Sequence, residues 1–167
     1  MACALTSSFA LGCKDSVGGV KEVYLIEKEN ITSYTAGVTT NTFSAITKAS
    51  GKVFRKYEQI RETSSFTQTF NDNIVNGTSY VTQELELYLP KLATTTRNEV
   101  LLLAQNRLVI VVVDRNGKAW IMGKENGCDR NGGTAATGTA MADRNGYVIK
   151  FQAMEVYEAY EYTGSLD

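Results

Sequence analysis

The stretch TSYVTQELELYL, Thr78 to Leu89, changes side-chain character at almost every step. Val81, Leu85, Leu87 and Leu89 fall on one face of an extended chain, with Gln83 as the polar exception. Tyr80, Thr82, Glu84, Glu86 and Tyr88 fall on the other. Successive side chains of a strand point to opposite faces, so a period of two predicts a strand with one dry and one wet side. Such a strand belongs to an antiparallel sheet that covers a core with one face. Asn76-Gly77 before it reads as a turn, and Pro90 after it as a stop.

Upstream, Ser64 to Phe70 places Phe66 and Phe70 on a common face with Gln68 between them. Phe43 to Thr47 and Lys52 to Arg61 also have strand composition, and Arg55, Lys56, Glu58 and Arg61 require a wet face for the second. Val20 to Glu27 and Ile31 to Thr35 are β-branched and aromatic, and the polar Lys28-Glu29-Asn30 between them predicts a first hairpin. Residues 1–19 are small and polar, end in Gly18-Gly19 and show no period. They read as an N-terminal arm on a single β-rich domain spanning 20–167.

Downstream, Val100, Leu101, Leu103 and Ala104 recur at helical spacing, and Thr96 with Glu99 three residues on resembles a capping box. One helix is expected over about 93–106. Arg107 to Val113 (RLVIVVV) is apolar on both faces, as befits a strand covered on each side. Asp114 to Gly117 turns it into Lys118 to Gly123, which carries the sole Trp120. Tyr147 to Gln152 and Met154 to Tyr162 complete the strands. The last is acidic and aromatic, and reads either as a solvated edge or as a subunit contact or negatively charged channel wall. The expected fold class is mainly β, an antiparallel β-sandwich or barrel with one flanking α-helix.

The tetrapeptide Asp-Arg-Asn-Gly occurs at 114–117, 129–132 and 143–146. Calcium loops need more carboxylates at set offsets and a terminal Glu, which no copy supplies. Asn tolerates and Gly favours left-handed backbone, so Asn116-Gly117, Asn131-Gly132 and Asn145-Gly146 are read as turns. Residues 133–142 (GTAATGTAMA) are small and uncharged, and read as a loop; no P-loop lysine or GxGxxG spacing makes them a phosphate cradle.

With 17 basic and 18 acidic residues, no histidine and one proline, the chain has no basic excess for a nucleic acid to grip. The absence of histidine removes histidine-dependent triads. Cys3, Cys13 and Cys128 lack CxxC spacing and are expected to be free thiols rather than zinc ligands. Glu84 and Glu86 are a pair of acids on one strand face, where solvation explains them better than glycosidase chemistry. No cofactor is expected, and no enzyme activity.

Leu11-Gly12-Cys13 resembles a lipoprotein cleavage site but lacks a basic and a continuous apolar region before it. The apolar run Leu108 to Val113 is far short of the roughly 20 residues a membrane helix needs. Asn30-Ile31-Thr32 and Asn76-Gly77-Thr78 match the glycosylation sequon, which matters only in a secreted chain. The chain is expected to be made in a cytoplasm and to bind no membrane.

Most of the chain resembles a family of tailed-phage virion proteins, particularly those of phages infecting Bacteroides-type bacteria. The similarity runs through Gly12 to Tyr24 (GCKDSVGGVKEVY), Phe66 to Phe70 (FTQTF), Asn76-Gly77-Thr78 with its long strand, and Leu108 to Trp120 (LVIVVVDRNGKAW). It continues through Met122 to Gly127 (MGKENG), the small-residue loop ending at Asp143 to Tyr147 (DRNGY), and the strand with Glu155. Such proteins are similar to the tail-tube superfamily or to the ring proteins of short, crAss-like phage tails. The resemblance implies a subunit of hexameric or dodecameric rings around a DNA channel, located in the virion tail and in contact with copies of itself and adjacent tail proteins. Low acidic content before residue 150 departs from an acidic lumen.

Three regions exceed the needs of an isolated fold: the arm, the 133–142 loop and the tail. The expected interface residues are Gly133, Thr134, Thr137, Gly138, Thr139 and Met141, with Glu155, Tyr157, Tyr160 and Tyr162. A competing expectation is a monomeric binding module, with Tyr80, Tyr88 and Trp120 stacking on carbohydrate.

Overall fold

A computed structural model describes residues 7–166; Cys3 and the start of the arm lie outside them. Eleven strands form two sheets. The strands are β1 (Val20–Glu27), β2 (Ile31–Ala36), β3 (Thr42–Lys48), β4 (Arg55–Glu58), β5 (Ser65–Asn73) and β6 (Thr78–Pro90). After helix α1 (Thr94–Gln105) come β7 (Leu108–Asp114), β8 (Ala119–Met122), β9 (Asp129–Ala136), β10 (Gly146–Glu155) and β11 (Tyr160–Tyr162). One sheet has seven strands in the order β2-β3-β11-β8-β7-β1-β4, the other four in the order β5-β6-β10-β9. The fold is thus mainly β, a sandwich of two sheets with one flanking helix, and neither sheet closes into a barrel.

The expected β1–β2 hairpin does not form. β1 pairs with β4 and β7, whereas β2 pairs with β3. A 3-10 turn, Lys28–Asn30, joins them. Four residue steps from Glu27 to Ile31 reach at most about 14 Å. Five strand spacings in a flat sheet would separate β1 from β2 by about 24 Å. The seven-stranded sheet must therefore curl until its β2 edge returns to the end of β1.

That curl explains why RLVIVVV is apolar on both sides. Leu108, Ile110 and Val112 face the core between the sheets, with Leu25, Leu85, Leu87, Ile149 and Phe151. Val109, Val111 and Val113 face the inside of the curl, with Ile26, Ile46, Ile121 and Tyr162. Burying each such aliphatic side chain contributes roughly 1.5–3 kcal/mol, so β7, buried from Leu108 through Val113, is the spine of both cores.

α1 rests on that inter-sheet core through Leu103 and Val100. Its N-terminus corrects the capping-box expectation: Ala93 is the N-cap residue, without a side-chain cap, and Thr96 lies inside the first turn. Glu99 accepts a bond from Tyr57 Oη at 2.7 Å instead. The two strands expected over 147–162 are one long strand, β10, and the short β11. β11 lies between β3 and β8, so it is not an edge.

Candidate assembly surface

The most prominent surface feature is the end of the β5–β6 hairpin. The two strands pair without a break from Ser65↔Glu86 to Asn73↔Thr78, but the core ends at Val81. Every residue from Asp72 to Tyr80 is exposed. The turn is held locally: Asn76 N donates to Asn73 Oδ1 at 3.0 Å, Ser79 Oγ donates to Asp72 Oδ1 at 2.5 Å, and Gly77 supplies a φ of 63°. At its tip Ile74 is 96% and Val75 94% exposed. Two adjacent apolar side chains on a protruding turn are not explained by the fold that carries them. The sequence signal was the pair itself, set directly against Asn76-Gly77 where polar residues are usual.

The four-stranded sheet carries the hairpin. Its face away from the core is hydroxyl- and amide-rich: Thr67, Thr69 and Asn71 of β5 stand opposite Glu84, Thr82 and Tyr80 of β6. Across β6, Lys150 bonds Glu86 at 3.2 Å and Gln152 Nε2 donates to Glu84 Oε1 at 3.0 Å. The two glutamates are thus tied to neighbouring side chains on an open face. No described element pairs with the outer edge of β5 or β9, and all eight residues of β9 are exposed.

β9 corrects two expectations. Residues 133–136 belong to a strand, so the loop spans 137–145. Asn131-Gly132 makes no turn between strands: the register with β10 jumps from Ile149↔Gly133 to Phe151↔Arg130, leaving both residues in a bulge. A Cβ at Gly133 would lie 2.5 Å from Val148 O, so this glycine serves close strand approach. Thr134, opposite Val148, is exposed.

The three Asp-Arg-Asn-Gly copies are used in three ways. At 114–117 the turn forms as expected: Asp114 Oδ1 accepts from Asn116 N at 2.8 Å and Lys118 N at 2.9 Å, and Gly117 has φ 82°. The third copy does not turn at Asn145-Gly146. Gly146 is the buried first residue of β10, squeezed against Leu89 O, which a Cβ would approach to 2.3 Å. Asn145 instead ties the chain after β6, accepting from Lys91 N through its carbonyl at 2.8 Å and from Leu92 N through Oδ1 at 3.0 Å. The loop's own staple is Asp143, whose Oδ2 accepts from Thr139 N at 2.8 Å and Ala140 N at 2.7 Å. Those two bonds hold its carboxyl below the usual range. Thr137 Oγ1 donates to Gly138 O at 3.1 Å, Gly138 has φ 73°, and Met141 points fully into solvent.

The tail residues are mostly engaged within the chain. Glu155 is buried, and accepts from Asn126 N at 2.9 Å; burial raises its pKa. Tyr162 is buried and donates to Ser165 O at 2.7 Å. Tyr160, Tyr34 and Phe43 surround Lys124 Nζ at 5.0 to 5.3 Å from the ring centres, a cation held by π faces. Of the four tail residues, Tyr157 alone is exposed. Gln83, the polar exception on the apolar face, is buried: its Oε1 accepts from Gly123 N at 3.0 Å and its Nε2 donates to Tyr157 O at 3.4 Å.

The carbohydrate-stacking residues do not converge. Tyr80 and Tyr88 lie on β6 and Trp120 on β8 of the other sheet. Tyr88, expected on the wet face, is buried: Arg144 sits 5.5 Å over its ring and its hydroxyl donates to Asn145 O at 3.2 Å. Trp120 Nε1 donates to Asp114 Oδ2 at 3.3 Å. Cys128 is buried, which pushes its thiol well above the usual pKa, and Cys13 is exposed. Among the described residues no three His, Cys, Asp or Glu side chains gather as a metal site, and no helix is long and apolar enough to cross a membrane. In comparisons with known proteins, no family model, curated protein or solved structure matches the chain.

Proposed function

We propose that the chain is a phage virion structural subunit that self-assembles into tail-tube or tail-ring hexamers or dodecamers around a DNA channel. The observation that carries this reading is the four-stranded sheet whose two edges, β5 and β9, pair with no other described element. An unpaired edge is a template for another strand, and β5 of one copy meeting β9 of the next is a head-to-tail contact that closes into a ring when the rotation allows. In such a ring the hydroxyl- and amide-rich face lines the channel. On β6 and β10 that face carries Glu84 and Glu86 against Lys150, which offers passing phosphates no basic track to adhere to. The resemblance to tail-tube and ring proteins supplies the virion setting, and the hairpin tip Ile74-Val75 supplies a contact for an adjacent ring or tail protein.

The double variant Ile74→Asp, Val75→Asp tests the contact between rings. Both side chains are exposed, so the folded subunit is unaffected. Electron microscopy is expected to show single rings that no longer stack. Tubes of wild-type length from this variant would remove the tip from the interface.

A further inference from the structure

We propose that the N-terminal arm of one copy docks, through Phe9 and Leu11, into the groove between α1 and β4 of a second copy. This rests on the self-assembly reading and names one of its contacts. Phe9 is 93% and Leu11 95% exposed; two residues apart on an extended chain, they share a face. The arm leaves the sandwich at the β7–β8 turn, where Val17 N donates to Asn116 Oδ1 at 2.9 Å and Asn116 Nδ2 donates to Val17 O at 2.8 Å. Arg115 N donates to Gly19 O beside it. The side chain of Asn116 thus launches the arm from a defined point, and its two large apolar residues are left exposed by the described residues of their own chain.

A receptor of matching chemistry lies on the same molecule. A groove of about 360 Å³ runs between α1 and the β1 and β4 strands. Leu102, half exposed, and Tyr57 and Leu103 give it an apolar wall, and Glu27, Glu99 and Arg55 mark its rim. The arm is uncharged from Ser7 to Gly12, then carries Lys14 and Asp15. Apolar residues therefore face the apolar wall, and Lys14 and Asp15, at a bend where Asp15 N donates to Cys13 O at 3.1 Å, come beside a rim that carries both signs of charge. Self-docking is disfavoured by position. The groove sits at the Leu25–Glu27 end of β1, whereas the arm leaves from the Val20 end and would have to double back along the strand.

The test uses the full-length chain with Cys3 and Cys13 changed to Ser. A tagged Leu11→Cys chain is mixed with an untagged Leu102→Cys chain and mildly oxidised. The expected product is a disulfide-linked pair with one chain of each kind. In parallel, Phe9→Asp, Leu11→Asp and separately Leu102→Glu are expected to raise the concentration of half-dissociation by roughly tenfold or more, the effect of losing a well-seated apolar side chain. An oligomer that forms no mixed pair overturns the arm contact and leaves the ring reading standing, as does a Leu11→Cys, Leu102→Cys chain that closes only on itself. A monomer at every concentration overturns both.

Discussion

Gln83 is the place where the two sheets and the chain's last segment are tied by one side chain, and its replacement by Met measures that tie. Met is unbranched and of similar length, so Gln83→Met fills the same space but accepts no bond from Gly123 N. The Gly123 N–H is buried at a 3.0 Å bond, and a buried donor left without an acceptor costs about 1–3 kcal/mol. The Tyr157 carbonyl bond is long, at 3.4 Å, and contributes at the low end of about 0.5–1.5 kcal/mol. The variant is therefore expected to lose about 1–3 kcal/mol in urea denaturation, or roughly 2–12 °C in Tm for a chain of this length. Hydrogen exchange at the Gly123 amide should accelerate by the same free energy. Stability within about 0.5 kcal/mol of wild type, with that amide still protected, would refute the reasoning.

Three further outcomes are expected. Gly123 has φ 72°, and a Cβ there would lie 2.4 Å from Cys128 Sγ, so Gly123→Ala should lose roughly 2–5 kcal/mol in the same denaturation assay. Burial raises the Glu155 pKa above 4.5, so the folded chain holds that proton more tightly than the unfolded one. This contribution is full below 4.5 and declines as pH rises through the folded value; stability curves of wild type and Glu155→Gln should therefore diverge in the variant's favour as pH rises, and parallel curves would contradict it. Asp143 is the reverse case: the Thr139 and Ala140 amides lower its pKa from 3.8, so its contribution is present above 3.8 and is lost as pH falls through the folded value. The protection of the Thr139 and Ala140 amides, their exchange relative to the intrinsic rate at the same pH, should fall at low pH in the wild type and be lower at every pH in Asp143→Ala.

The strands that alternate strictly were legible because their period reports a one-sided core. β6 was read correctly to within a residue of Pro90, and its odd Gln83 marks a buried polar tie that periodicity cannot distinguish from an exposed one. β7 was legible as a doubly covered strand, though only the curl of its sheet reveals that its two faces serve two cores. Pairing was less legible. Lys28-Glu29-Asn30 has the polarity of a hairpin turn, yet it forms a corner between strands at distant sheet positions, because the partners of β1 come from residues 55–58 and 108–114. Asp-Arg-Asn-Gly shows the same limit: one tetrapeptide makes a turn, a bulge and a strand start according to what packs beside it. The candidate interface was read from composition alone. Composition found the exposed Met141 and Thr134, but could not foresee that Glu155 and Tyr162 are buried in their own fold, or that Ile74 and Val75 stand at a protruding tip.

The central claim is that copies of this chain join through the edges of the four-stranded sheet, and imaging the purified full-length protein by electron microscopy, with its mass measured in solution, tests it most directly. Closed rings of six or twelve copies, with β5 of one subunit beside β9 of the next and the Glu84 face toward the channel, are the expected result. A strict monomer at high concentration, or rings joined with both edges still unpaired, would contradict it.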